Sequence, residues 1–301
     1  MTVPVRRLAA LGVLAAVTAG CGTGQDSAPD PDRPSAPASP RASADARPPT
    51  LAPGPEGLAP VFKSGKRDGG KTVALTFDAD MTADQGPRAA KGERFDNPEL
   101  IATLRRLKVP STVFMTGRWA EEYPDQARAI DADPLFEVAN HSYSHYAFTS
   151  HCYGLPTIAP EKMRADVERA FRAFEKVGVE NAMPYFRFPG GCYDRSALRN
   201  VAQAGVTAVQ WDVVSGDAFA TDADAVAEEV LRGVRPGSVV VLHCTRSAAP
   251  TTERVVRKVV PELRERGYRF VRVSELIRAQ GAEEAPGRPS GGSAAAPSRT
   301  P

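Results

Sequence analysis

His141 and His145 stand at i and i+4 in the run Asn140-His141-Ser142-Tyr143-Ser144-His145. On a helical turn this spacing places both imidazoles on one face, where they can bind one metal ion. Alone, the same spacing also fits two solvated loop histidines. A carboxylate from Asp78 or Asp80 would complete a three-ligand site with one position open for water, the arrangement of a catalytic rather than a structural metal. Arg187, Asp212, Asp217 and His243 are further polar residues in or just after apolar runs. Three of the four histidines in the chain belong to this set, a grouping that packing alone explains poorly.

The elements that must position these residues are legible as a pattern. Short β-rich apolar runs at 72–77, 112–116, 136–139, 185–188, 208–213, 238–243 and 268–273 alternate with amphipathic helical stretches. One helix is predicted to begin at Asn97-Pro98, an N-cap followed by proline at the first helical position. Others are predicted at 161–177, 196–204, 223–233, 252–266 and 274–279. About seven β-then-α units in a row predict a parallel α/β sheet, either open and doubly wound or closed into a barrel. Val239, Val240, Val241 and Leu242 form a continuously apolar run, as expected for a strand covered on both faces. The candidate chemical residues then fall at the C-terminal ends of strands, the edge where parallel α/β folds build their active sites.

Five ordered segments resemble the polysaccharide deacetylase family, carbohydrate esterase family four. They are Thr76-Phe77-Asp78, the Asn140–His145 run, Arg187-Phe188-Pro189-Gly190-Gly191, Trp211 to Asp217, and Val241-Leu242-His243. The closing stretch around Tyr268 and Ser274-Glu275-Leu276 is also similar, so the likeness covers residues 70 to 278. It implies an irregular (β/α) barrel of about seven strands and hydrolysis of an amide by metal-activated water. His141 and His145 would hold the metal and Asp78 would be the general base. Arg187 would keep Asp78 ionised and oriented. His243 would be the general acid, its pKa raised by Asp217, and Val241 would help to wall the acetyl methyl group. The metal expected is zinc, with cobalt and manganese also suited to two imidazoles and a carboxylate.

This chain departs from the family pattern at two places. Members usually carry two adjacent aspartates and then glycine, the second aspartate being the third metal ligand. Here the run is Asp78-Ala79-Asp80, and Ala79 has no donor atom. On an extended strand Asp80 points to the same face as Asp78, whereas a turn could swing it inward; Asp80 is the expected third ligand, and a cap on the following segment is the alternative. The fourth segment normally has Trp after Asp. Ala218 follows Asp217 here and Phe219 comes next, so Phe219 is expected to fill the apolar pocket.

The chain has 4 cysteines. Cys152, Cys192 and Cys244 each lie a few residues past one of these segments. Outside the cytoplasm thiols pair, and Cys192 with Cys244 or Cys152 with Cys192 are both open to the sequence. A zinc site of three thiolates fits their wide spacing badly. His151, beside Cys152, reads as a loop residue.

The ends have a different character. Arg6 and Arg7 precede an apolar run of about 12 residues, short of the roughly 20 that span a bilayer. Thr18-Ala19-Gly20-Cys21 resembles a bacterial lipobox, whose cysteine is acylated. The expectation is a signal peptide over 1–21 and attachment to the extracellular face of the bacterial cell membrane through lipidated Cys21, with simple secretion as the alternative. Residues 22–60 and 281–301 are rich in Pro, Ala, Ser and Gly and poor in large apolar side chains, so a tether and a tail are expected around a catalytic domain at 61–280. The 301 residues carry a formal net charge of +2, which offers no electrostatic footprint for nucleic acid. The expected substrate is a polymer of N-acetylated amino sugars, peptidoglycan or a chitin-type glycan. O-deacetylation of acetylated xylan and catalytically inert glycan binding are the alternatives.

Overall fold

The computed structural model describes residues 47–281. Nine strands form one sheet: β1 (Val61–Phe62), β2 (Thr72–Ala79), β3 (Ser111–Met115), β4 (Phe136–Asn140), β5 (Tyr185–Phe186), β6 (Thr207–Val209), β7 (Val213–Val214), β8 (Ser238–His243) and β9 (Arg269–Phe270). Every pairing is parallel, in the order β1-β6-β5-β4-β3-β2-β8-β7, with β9 added to β2. Only Gln210, Trp211 and Asp212 separate β6 from β7. The backbone N–H of Gln210 donates to Phe62 and that of Asp212 to Val239. One short stretch of chain therefore passes from one end of the sheet to the other and curls it into the irregular barrel expected from the sequence.

Helices α1 (Gly86–Ala89), α2 (Pro98–Arg106), α3 (Gly117–Glu122), α4 (Pro124–Asp131), α5 (Pro160–Val177), α6 (Arg195–Ala202), α7 (Ala223–Gly233), α8 (Thr252–Glu265) and α9 (Val273–Ala279) surround it. Asn97 caps α2 by accepting the N–H of Leu100 at 3.1 Å, as its sequence predicts. The pleat sorts β2 into two faces. Val73, Leu75, Phe77 and Ala79 pack against the helical layer, whereas Ala74 joins an interior cluster with Phe114, Ala139, Val239 and Val271. Thr76 and Asp78 share the phase of Ala74 and so face the barrel interior. In register, Asp78 stands between Phe114 of β3 and His243 of β8.

Three expectations need correction. The run at 208–213 is two strands, because the chain changes partners within it. The last strand is only Arg269–Phe270, since the helix expected from 274 already starts at Val273. The folded body also begins before residue 61. Leu58 and Ala59 are buried, Leu51 packs against the interior cluster, and the Tyr185 hydroxyl donates to the Pro49 carbonyl at 2.7 Å. Val61–Phe62 pairs with β6. Two residues show too little periodicity to be recognised as a strand in sequence. The expected signal peptide, Cys21 and nearly all of the tail lie outside the described residues.

Candidate active site

A cavity of about 370 Å³ opens at the C-terminal end of the strands, lined among others by Asp78, Asp80, His141, His145, Asp217 and His243. All six were expected from sequence to lie together there, and Val241 lines the same cavity. Arg187 lies beneath it. Asp212 does not join them. Its carboxylate binds Arg67, the Ser238 hydroxyl and the N–H of Val239 at the opposite, N-terminal end of β8.

Asp78 and Arg187 form the buried floor. The Arg187 Nη1 donates to Asp78 Oδ1 at 2.7 Å and its Nε donates to the Val209 carbonyl at 3.2 Å. The guanidinium lies 3.9 Å above the centre of the Phe114 ring. Burial opposes ionisation of Asp78, but the charges of Arg187 and of protonated His243 outweigh it and hold the carboxyl below its ordinary range.

The His141–His145 segment is not a helical turn. Ser142 and His145 are both left-handed, at φ 67° and 57°, a conformation that costs non-glycine residues energy and needs support. Asn140 accepts the N–H of Ser142 at 2.7 Å while its amide donates to the Val167 carbonyl of α5. Asp166, also on α5, accepts from the N–H groups of Tyr143 and Ser144. This scaffold brings the ring centres of His141 and His145 to 5.0 Å. The His141 Nδ1–H donates to the Arg187 carbonyl at 2.9 Å, leaving Nε2 as the free acceptor, 3.7 Å from Asp78 Oδ2. Burial pushes the pKa of both imidazoles down, that of His145 to about 4.

Asp80, the residue just past the end of β2, lines the cavity with Asp78, and His145 Nε2 stands 3.8 Å from its Oδ2. Its other oxygen accepts from the Thr245 hydroxyl at 2.5 Å, and the same hydroxyl accepts the Asp80 N–H at 3.1 Å. Ala79 is fully buried in the helical-side core. Sequence reading missed Thr245; its position two residues after His243 was the available signal.

Asp217 and His243 form the wall beside Asp78. The His243 Nδ1–H donates to Asp217 Oδ1 at 2.7 Å and its backbone N–H to Oδ2 at 2.8 Å. The hydroxyls of Ser215 and Thr252 also donate to this carboxylate. Burial would disfavour a charged imidazole, but Asp217 overrides it and raises His243 to about 10. Thr252 begins α8, and no local pattern announced its role.

Cys152 is bonded to Cys192, and Cys244 is a buried free thiol. Of the pairings left open by sequence, the one joining Cys192 to Cys244 is therefore not formed. Phe219 does not fill the pocket but stands on its rim, while half-buried Trp211 packs on Gly191 and lines the wall beneath; a Cβ on Gly191 would fall 2.3 Å from the indole. His151 is an exposed loop residue hydrogen-bonded to Ser150.

A family profile described as polysaccharide deacetylase matches residues 65–209. A chitooligosaccharide deacetylase of Sinorhizobium fredii is 31% identical over 214 residues, spanning 66% of this chain and 89% of that protein. The chain belongs to the polysaccharide deacetylase family. A peptidoglycan-N-acetylglucosamine deacetylase of Bacillus cereus is 28% identical over 211 residues, 69% of this deacetylase and 89% of the relative. A solved structure of a family-four carbohydrate esterase pseudoenzyme from Bacillus anthracis matches with a TM-score of 0.59 at 22% identity, covering 76% of this chain and 70% of that one. That likeness bears on the fold.

The family generally uses a divalent metal. Among the described residues no three His, Cys, Asp or Glu side chains are already gathered into a ligating cluster. The donor chemistry nonetheless suits one. Two imidazoles kept neutral by burial face two carboxylates across 3.7 and 3.8 Å. The carbonyl that accepts from His141 Nδ1 fixes the ring as metal-binding histidines are commonly fixed.

Proposed function

We propose that this deacetylase hydrolyses N-acetyl groups of an amino-sugar polymer, with peptidoglycan first and chitin-type glycans next. The observation that carries the reading is the pair of preset charge states on neighbouring strands, Asp78 ionised against Arg187 and His243 protonated against Asp217. His141, His145 and Asp80 would hold a divalent cation, zinc for preference, which supplies polarisation of the acetyl carbonyl and acidification of water when bound. Asp78 accepts the proton of the attacking water. Val241 and Trp211 confine the acetyl group. His243 donates its proton to the departing nitrogen as the C–N bond breaks, giving acetate and the free amine. We further propose acylation of Cys21, which would keep the domain near the cell wall.

The test is acetate release from N-acetylglucosamine oligomers, peptidoglycan and acetylxylan. The protein is stripped with chelator and resupplied with zinc, cobalt or manganese. Metal-restored release from the amino-sugar substrates, lost in Asp78→Asn and sharply reduced in Asp80→Ala, is the expected result. Release only from acetylxylan would redirect the reading to O-deacetylation. Glycan binding without release under any metal would make this chain a binding protein.

A further inference from the structure

The large apolar side chains most exposed among the described residues are Tyr153 at 75%, Phe219 at 77% and Val214 at 56%, and all three line the mouth of the one cavity that holds the chemical residues. Scattered exposed apolar groups need no explanation, but a contiguous group at a cleft marks a binding surface. The Tyr153 and Phe219 ring centres are 5.8 Å apart and their planes are inclined by 34°.

Both rings are held from below. Tyr153 has φ 50° and follows Cys152, which is tied to Cys192. Gly190 lets this loop settle, since a Cβ there would come within 2.5 Å of the Cys152 sulfur and 3.2 Å of the Tyr153 ring. Phe219 ends the short 3-10 turn Asp217–Phe219, whose first residue is bound to His243 and Thr252. A ring presented on such fixed backbone loses little freedom when a ligand arrives. Among the described residues no Lys or Arg side chain lines the cavity, and its one protonated imidazole, His243, is already paired with Asp217, so the mouth offers apolar faces without a free cation for phosphate, sulfate or uronate groups.

We propose that Tyr153 and Phe219 form a stacking platform for the apolar C–H face of an uncharged pyranose ring lying across the cavity mouth. It rests on the proposed function and names the subsite that holds the glycan while its acetamide enters the cavity. The platform takes the place that sequence reading gave to Phe219 alone inside the pocket.

The experiment is calorimetric titration of the full chain with the N-acetylglucosamine tetramer, beside KM for acetate release. Tyr153→Ala and Phe219→Ala should each weaken binding by about two- to tenfold, and the double variant more than either. Tyr153→Trp should bind like the parent, whereas Tyr153→Leu, apolar but not flat, should bind like the alanine variant. Because both rings are exposed, the melting temperature should not fall. Unchanged affinity and KM in the double variant would overturn the platform. Equal affinity for an oligogalacturonate would overturn its assignment to an uncharged sugar. Platform-dependent binding without acetate release would instead defeat the proposed reaction and leave the platform standing.

Discussion

Asp217 accepts two hydrogen bonds from His243, one from the imidazole Nδ1–H at 2.7 Å and one from the backbone N–H at 2.8 Å. The second bond fixes the carboxylate to the strand that carries the imidazole, so rotating the Asp217 side chain would break both bonds at once. Burial alone would lower the imidazole pKa, and Asp217 instead raises it to about 10.

His243 should therefore remain protonated as pH rises through 6.5 and titrate near 10, followed by NMR of the ring. Its raised folded-state pKa makes this contribution to stability complete below about 6.5 and lost as pH rises through about 10. The depressed Asp217 acts at the other end, losing its contribution as pH falls below the ordinary carboxylate range. In Asp217→Asn the imidazole should titrate well below 10, because its strongest raising partner is gone and burial is opposed only by the weaker pull of Asp80 and Asp78. A titration unchanged by that substitution would show that Asp217 does not set the charge.

Arg187 and Asp78 are both buried and share one direct bond. Arg187→Met leaves an uncompensated buried carboxylate and should cost about 3–5 kcal/mol in urea unfolding. Adding Asp78→Asn should recover part of the loss. A double variant no more stable than the single one would mean that the cost comes from lost packing on Phe114.

Thr245 clamps one oxygen of Asp80 and leaves the other toward His145. Thr245→Val should weaken divalent-metal affinity by about 10- to 100-fold, as loss of a partner to a ligand commonly does. Thr245→Ser should keep it, and Asp80→Ala should weaken it more. Competition with a chromophoric chelator measures this without any substrate. Equal affinities across the series would remove Asp80 from the metal.

The Cys152–Cys192 bond closes a loop with a sequence separation of 40. Replacing both with serine should cost roughly 2–4 kcal/mol of stability. Cys244 is buried, and burial pushes its thiol up to about 12. It should react with a maleimide only after unfolding, whereas mass mapping of the native protein should find Cys152 joined to Cys192. Rapid native labelling of Cys244 would contradict this arrangement.

The sequence alone determined the alternation of strand and helix, the parallel sheet, and the identity of the carboxylates and imidazoles lining the cavity. Those features rest on local periodicity and on residue order, both of which survive in one dimension. Asp80 was legible as a cavity residue, but whether it sat on an extended strand or a turn was open, and it lies just past the end of β2. The i, i+4 histidines were correctly taken to meet although the local structure is not helical. Their meeting depends on Asn140 and Asp166, the second more than twenty residues away, which no spacing rule reports.

The tertiary structure decided what depends on distant chain segments. It chose Cys152–Cys192 over Cys192–Cys244, since pairing needs two Cβ atoms at bonding range, and sequence distance does not measure that. It sent Asp212 to the opposite end of the barrel from Asp217, because the chain changes strand partners between β6 and β7. It brought Thr245 onto Asp80 and Thr252 onto Asp217, two hydroxyls that no motif singles out. It also placed Phe219 on the rim beside Tyr153. Hydrogen bonds and ring contacts between remote residues are set by how the barrel closes, and that closure is a property of the whole packed chain.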